Sequence, residues 1–182
     1  MAAAVTPWPL KIRLGAVQRT GLQARFEPDA ATRKVIAREL GLIGIEKLEA
    51  EVGVAPWLDG VELTGWIKAT VTQTCSVTAE PLDSHIDAGF SLRLVPPDSP
   101  NIPQYEGVEI EIDAEAEDAP DVMEDDVIDV SGYVVEHLAL ELDPFPRKPG
   151  AVFEQPEEPG SLSPFAALAA LRKADPGEGG AS

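Results

Sequence analysis

Cysteine and histidine, the side chains that most often act as nucleophiles, proton carriers or metal ligands, are scarce in this sequence. The chain has one cysteine, Cys75, and two histidines, His85 and His137. No HExxH or GxSxG motif is present, and the spacing of these three residues fits neither a catalytic triad nor a metal pair. We therefore expect both histidines to be surface imidazoles.

Cys75 is the obvious candidate nucleophile, but its position in the sequence favours a structural role. It continues an alternating apolar series that includes Leu63, Ile67 and Val71, which is typical of the buried face of a strand. Burial in apolar surroundings raises the pKa of a thiol and lowers its reactivity. The sequence thus predicts a buried, unreactive core cysteine.

A series of acidic residues beginning at Asp113 has part of the spacing of a calcium-binding loop. Its third and fifth positions are Glu115 and Glu117, and its twelfth is Glu124. The sixth position is Asp118, where such a loop needs glycine for its sharp turn. We therefore predict no metal site. Because the sequence also lacks a glycine-rich phosphate-binding loop between a strand and a helix, we expect no cofactor and no enzymatic activity.

Net charge separates the chain into unlike parts. The sequence has 14 lysine and arginine residues against 32 aspartate and glutamate residues, a net charge of −18. Residues 76–146 contain one basic residue, Arg93, and nineteen acidic ones, and residues 101–130 contain twelve acidic residues and no basic one. This sign argues against a protein whose main task is to neutralise phosphate groups.

The acidic segment 101–130 allows two interpretations. It is either a solvated loop that keeps the chain soluble or a surface that docks a basic partner. Under the second interpretation, the candidate partner-binding residues are Glu109, Glu111, Asp113, Asp125 and Asp126.

Basic residues in the first third of the chain indicate an alternative. Lys11, Arg13 and Arg25 take outward positions on predicted strands, beside a predicted helix that carries Arg33 and Lys34. Such a face could contact RNA directly. A solvated polar face is the default interpretation, because no aromatic residues interleave with these charges to stack on bases.

The cell compartment follows from the cysteine content and the hydropathy. A single cysteine rules out a disulfide framework within the chain and fits a reducing compartment. No apolar run approaches the roughly 18 residues of a membrane helix. The first residues contain no basic region followed by an apolar stretch. We expect a cytoplasmic protein with no membrane partner.

The hydropathy pattern predicts an α+β domain in which an antiparallel β-sheet packs against one or two helices. The first helix is predicted to begin after Asp29 and to carry Thr32, Val35, Ile36 and Leu40 toward the core. The strands at 61–75 and 86–94 are expected to form a hairpin. The predicted strands cover residues 10–16, 22–26, 48–54, 61–75, 86–94 and 108–112.

A second helix is predicted late in the chain, with Asp129 or Ser131 as its N-cap. Its apolar residues recur at four-residue spacing at Val130, Val134, Leu138 and Leu142.

The domain assignment places residues 1–146 in a single α+β domain that includes the acidic segment. Residues 147–182 form a tail rich in proline, glycine and glutamate. A short helix is predicted at 164–173, with Phe165, Leu168 and Leu171 as docking anchors. A helix of this length is marginal in water, so it docks either on its own domain or on a partner.

Three stretches of the sequence share the order and spacing of a known set of motifs. They are residues 72–82, which contain Cys75-Ser-Val-Thr78-Ala-Glu80-Pro81, residues 128–144, and residues 164–171. Together they resemble the YceD family, the large ribosomal RNA subunit accumulation proteins of bacteria and plastids. Thr78 stands where many relatives have a second cysteine, which argues against a two-thiol metal site here. The matching positions are Cys75, Glu80, Pro81, Asp129, Glu136, Leu138 and Pro144.

The resemblance implies a non-enzymatic ribosome-assembly factor needed for large-subunit (23S) ribosomal RNA to accumulate. The implied partner is a small basic ribosomal protein or the pre-ribosomal large subunit. Our hypothesis is that the acidic surface holds a basic ribosomal protein until RNA phosphate competes for it. The alternative is an assembly factor that contacts the RNA directly through the N-terminal basic face, including Arg25, Arg33 and Lys34.

Overall fold

A computed structural model describes residues 5–102 and 118–153, and it shows the predicted α+β class. The strand predicted at 108–112 and the helix predicted at 164–173 lie outside the described residues. The described strands are β1 (Lys11–Arg13), β2 (Leu22–Phe26), β3 (Gly44–Trp57), β4 (Gly60–Thr74), β5 (Pro81–Val95), β6 (Asp121–Val122) and β7 (Val127–Asp129), and the helices are α1 (Ala30–Glu39) and α2 (Val130–Leu140).

The main sheet has the strand order β2-β3-β4-β5-β6 and is antiparallel except for the parallel pair β5 and β6. The predicted hairpin is confirmed, since β4 and β5 pair from Val61 with Leu94 to Thr74 with Pro81. Alternation along β4 buries one face of the sheet, where Leu63 has no exposed surface. Both helices contribute to the same hydrophobic core as that face.

Helix α1 begins where the sequence predicts. Asp29 caps it, and the Asp29 carboxylate accepts a hydrogen bond from the Thr32 N–H at 2.8 Å. We expected Val35 to face the core, but its side chain is 45% exposed, whereas Ile36 and Ala37 are buried. Each helical residue turns about 100°, so Val35 lies about 200° around the axis from Ala37. Val35 therefore lies outside the narrow buried stripe of α1 that packs on β3.

Strand β1 is shorter than the predicted strand at 10–16. It pairs with β7 as a separate two-stranded sheet, from Lys11 with Asp129 to Arg13 with Val127. The ladder ends there because β7 has three residues, and Leu14–Ala16 turns into a 3-10 helix. Residues 10–16 alternate in hydropathy as a strand would, but the length of β7 determines where β1 ends.

The last part of the acidic segment is folded, which corrects its interpretation as a solvated loop for residues 118–130. Strands β6 and β7 both lie there, and Met123 and Ile128 are 5% and 1% exposed. These apolar side chains insert between the acidic ones and bury against the core, which offsets the cost of ordering the segment.

Helix α2 follows β7 directly. Asp129 is its N-cap and accepts a hydrogen bond from the Gly132 N–H at 2.9 Å. Ser131, the other predicted cap, instead accepts a hydrogen bond from the Leu10 N–H at 2.6 Å. Val134 and Leu138 have no exposed surface, as the four-residue apolar spacing predicts.

Candidate partner-binding groove

The predicted docking residues that the structure describes, Asp125 and Asp126, have local partners. Asp125 accepts a hydrogen bond from the Val127 N–H at 2.8 Å, and Asp126 forms an ion pair with Arg13 at 2.8 Å. Both carboxylates therefore shape the entry to β7, and neither is a free docking group by itself. The other three predicted residues, Glu109, Glu111 and Asp113, lie outside the described residues.

A groove of about 610 Å³ lies between β5, β6 and α2. On its far side, Tyr133 also borders an adjoining hollow lined by β6, β7 and the start of α2. We call the two together the acidic groove. Its carboxylate residues are Asp118, Asp121, Glu124, Asp125, Asp129 and Glu136.

Apolar surface accompanies these charges. Leu92 and Leu140 line the groove, and the Leu140 side chain is 73% exposed. The basic residue Arg93 also lines it, but Arg93 is ion-paired with Glu62 at 3.2 Å and lies over the Trp57 ring at 5.0 Å. The acidic groove therefore offers a partner both negative charge and apolar contact.

The electrostatic field of the groove acts on Tyr133. Burial raises the pKa of the Tyr133 hydroxyl above its ordinary value, and the charges of Asp121, Glu136 and Asp129 raise it further. Carboxylates disfavour the phenolate because they disfavour any added negative charge. By the same physics, they attract a cation placed at this point.

His137 is half-buried and lines the acidic groove. Its ring stacks on Phe90 with centroids 4.2 Å apart, and its Nδ1 lies 2.9 Å from the Tyr133 carbonyl oxygen. Phe90 in turn lies over Gly65, where a Cβ atom would fall 2.3 Å from the ring. His85 is exposed on β5, as predicted, with its Nδ1 3.2 Å from the Thr70 hydroxyl.

Cys75 is buried, as predicted, but it begins the turn after β4 and its pKa shifts in the opposite direction from our expectation. Hydrogen bonding lowers the pKa of the thiol to about 6. The largest cause is the Thr78 hydroxyl, followed by the N–H groups of Lys148, Thr78 and Val77, and together they outweigh burial. The donors come from the turn itself and from a distant segment, so strand alternation gave no signal of them.

The turn that contains Cys75 anchors the chain after α2. Ser76 donates its N–H to the Pro146 carbonyl at 2.8 Å, and the Lys148 ammonium pairs with Glu80 at 3.0 Å. Lys148 also lowers the pKa of Glu80 by hydrogen bonding and by its charge. Contacts with the domain thus continue past the proposed boundary at residue 146, and that boundary stays a prediction.

The family-motif positions fall in several places. Cys75, Glu80 and Pro81 lie at the β4–β5 turn, and Pro144 borders a shallow pocket beside it. Asp129 caps α2, while Leu138 is in the core. Glu136 alone among these seven positions lines the larger part of the groove.

The basic residues of the first third are divided between several places, although Arg33 and Lys34 line one shallow pocket together with Arg38. Lys11 and Arg13 pair with Asp129 at 2.9 Å and Asp126 at 2.8 Å, on the acidic side of the molecule. Arg25 pairs with Glu27 at 2.5 Å. Arg33 donates to the carbonyl oxygens of Pro28 at 2.7 Å and Ile45 at 3.2 Å, so its guanidinium ties α1 to the start of β3.

Sequence reasoning missed Tyr133, Asp118 and Asp121 as groove residues. Both aspartates were counted in the acidic segment, but nothing local showed that the parallel pairing of β6 with β5 would set them opposite α2. Tyr133 lies one helical turn before His137 on α2, so four-residue spacing could have indicated that the two side chains are neighbours.

The described part of the chain is an α+β fold with a groove lined by carboxylates. Within residues 5–102 and 118–153, no group of three histidine, cysteine, aspartate or glutamate side chains is placed to hold a metal ion. Among the helices of that part of the chain, none is long and apolar enough to cross a membrane.

The family model of YceD, described as large ribosomal RNA subunit accumulation protein, matches residues 63–172. The chain belongs to this family. The matched range covers most of β4, all of β5, the acidic groove and the turn that contains Cys75. Comparisons with curated proteins and with solved structures give no match.

Proposed function

We propose that this chain is a non-enzymatic ribosome-assembly factor needed for large-subunit ribosomal RNA to accumulate, and that it binds a basic ribosomal protein through the acidic groove. Membership of the YceD family supports the first part. The observation that supports the second is the set of carboxylates that line the groove around Tyr133, among them Asp121, Asp129 and Glu136.

Physical chemistry supports a temporary complex. Ribosomal proteins are basic and need protection from aggregation and from random RNA contacts before assembly. A negatively charged groove attracts them from a distance and speeds association. RNA carries a denser negative charge than the groove. Its phosphates can therefore replace the groove carboxylates as partners of the ribosomal protein once that protein reaches its site on the RNA.

The stretch 103–117 is also acidic in the sequence. Six of the acidic residues of segment 101–130 fall there, directly before Asp118 at the groove. Glu109, Glu111 and Asp113 therefore stay proposed contacts of the same partner. Phe165, Leu168 and Leu171 stay proposed anchors of a C-terminal docking helix.

A paired charge-neutralising variant tests the groove. We expect Asp121→Asn combined with Glu136→Gln to weaken binding of a purified basic large-subunit ribosomal protein at low salt. Two exposed carboxylates contribute up to about 1 kcal/mol each, so the dissociation constant should rise by roughly five- to thirtyfold. Isothermal titration calorimetry measures this.

The matched control is Glu39→Gln combined with Glu46→Gln, which makes the same change of net charge at exposed positions away from the groove. Measured at the same ionic strength as the groove pair, it should change the affinity by a clearly smaller factor, since a distant surface charge interacts more weakly with the bound partner. Equal effects of the two pairs would mean that net charge matters and the groove does not.

A further inference from the structure

The outward face of the main sheet carries an exposed aromatic ring at its centre. Trp66 lies midway along β4, directly between Glu51 of β3 and Gly89 of β5, and its side chain is 49% exposed. The indole Nε1–H donates to the Asp87 carboxylate. The ring also lies over Gly89, where a Cβ atom would fall 2.9 Å from it. The ring is thus fixed in place while half its surface stays open.

A depression of about 410 Å³ adjoins this ring, and charged residues surround it. Most of the charges there are already paired. Arg25 pairs with Glu27 at 2.5 Å, and Lys68 pairs with Asp87 at 3.4 Å. Glu49, which also lines the depression, pairs with Lys47 at 2.9 Å.

Glu51 is the exception. Its side chain is exposed beside Trp66, and no hydrogen-bond or ion-pair partner for it occurs in the described part of the chain. Arg25 is its cross-strand neighbour on β2, but the Arg25 guanidinium is bound to Glu27. An open indole ring and an unpaired carboxylate therefore stand side by side on adjacent strands.

We propose that Trp66 and Glu51 form a binding site for one cationic side chain, an arginine or a lysine, of the basic protein that the acidic groove binds. This inference rests on the proposed function. A guanidinium or ammonium over the ring is attracted by its negative π face. The Glu51 carboxylate supplies a charge-assisted hydrogen bond, and arginine suits the site best because its plane can stack while its N–H groups reach the carboxylate.

The residues around the ring leave room for the chain that bears this cation. Gly53 and Thr64 sit next to Glu51 and Trp66 on their strands, and Ser91 faces Thr64 across β5. The Gln23 side chain lies over Gly53, so the low surface beside the ring is the one formed by Thr64 and Ser91. Ser91 also lines the acidic groove, and it lies two residues, roughly 7 Å, along β5 from Gly89. Trp66 and helix α2 lie on opposite faces of the sheet, so a partner segment that contacts both places must wrap around β5 at Ser91.

Charge favours a cation over an RNA base at this ring. Bases also stack on exposed tryptophan, but they bring a phosphate with them. The two cations that line the depression, Arg25 and Lys68, are paired with Glu27 and Asp87, so the charge without a partner among the described residues there is the negative Glu51. A phosphate would be repelled where a guanidinium is attracted.

The test follows the indole N–H signals of the chain's three tryptophans in NMR spectra. The titrants are a blocked peptide of alternating arginine and glycine and, separately, an oligouridylate RNA. Trp66→Phe assigns the signal of Trp66. We expect the peptide to shift this signal progressively, and the RNA to leave it unmoved.

Two variants measure the contribution of each partner. Glu51→Gln and Trp66→Leu should each weaken peptide binding by about threefold or more. Glu46→Gln, an equal charge change on the same strand outside the depression, should change it by less than about twofold. If Glu51→Gln behaves like Glu46→Gln, or if RNA shifts the Trp66 signal and the peptide does not, the inference is overturned. The proposed function of the groove is tested separately, by Asp121→Asn and Glu136→Gln. Failure of the Trp66 inference can therefore be distinguished from failure of the proposed function.

Discussion

At the residue scale, Cys75 shows how a turn can reverse the chemistry expected of a buried thiol. Its burial was predictable, because it extends the apolar face of β4. Its low pKa was not, because the strongest donor, Thr78, lies in the turn after β4, where strand alternation gives no signal. The N–H of Lys148 arrives from 73 residues away, at 3.4 Å from the sulfur. In this chain a hydroxyl and a backbone amide stabilise the thiolate.

This geometry predicts a measurable titration. The thiolate absorbance of the native chain should have a midpoint near pH 6. In Thr78→Val the midpoint should move up toward the ordinary thiol value of about 8.5, because the largest stabilising hydrogen bond is lost. Thr74→Val, an exposed change at the end of β4, is the control and should leave the midpoint in place.

The same shift links stability to pH. The folded thiol has a lower pKa than the unfolded one, so its contribution is fully present above about pH 8.5 and is lost as the pH falls through about 6. Between about pH 6 and pH 8.5, the urea unfolding midpoint should therefore rise less in Thr78→Val than in the native chain. Identical titrations of Thr78→Val and the native chain would contradict the assignment of Thr78 as the main donor.

At the element scale, the single residue Asp129 joins β7 to α2. Its carboxylate caps the helix through the Gly132 N–H at 2.9 Å and pairs with Lys11 of β1 at 2.9 Å. Replacement of an N-cap aspartate by alanine costs about 1 kcal/mol, and an exposed ion pair adds up to about 1 kcal/mol. Asp129 therefore holds the two-stranded sheet and the groove helix in one arrangement.

Two substitutions separate these contributions. Asp129→Ala should lower the free energy of unfolding by about 1–2 kcal/mol, whereas Asp129→Asn, which keeps the capping oxygen, should lower it by less than about 1 kcal/mol. Urea denaturation measures both. Equal losses in the two variants would show that the ion pair with Lys11, and not the cap, is what Asp129 provides.

Elements with their own periodic pattern were predictable, and those defined by a partner were not. The cap at Asp29, the long hairpin of β4 and β5, and helix α2 follow from local alternation or four-residue spacing. Strands β6 and β7 have two and three residues, too few for a pattern, and they exist because β5 and β1 lie beside them. The acidic groove could not be predicted for the same reason, since β6 forms one of its walls.

At the scale of the whole molecule, the distribution of charge separates the two functional hypotheses. The net charge of −18 arises within residues 76–146, and the basic N-terminal residues Lys11 and Arg13 are paired with carboxylates of that same region. An RNA-binding face needs free cations, whereas a site for a basic protein needs free carboxylates. In the groove around Tyr133, Asp125 and Asp129 have local partners, whereas Asp118, Asp121, Glu124 and Glu136 have none among the described residues. Lys34 on α1 also has none there, and it belongs to the RNA alternative.

The most direct measurement compares the affinity of the unmodified chain for two partners in dilute buffer, a basic large-subunit ribosomal protein and a naked large-subunit RNA transcript. Our account predicts that the chain binds the ribosomal protein tightly, with an affinity that falls steeply as salt is added, and that it binds the transcript weakly. Tight binding to the transcript together with no binding to the ribosomal protein would contradict it.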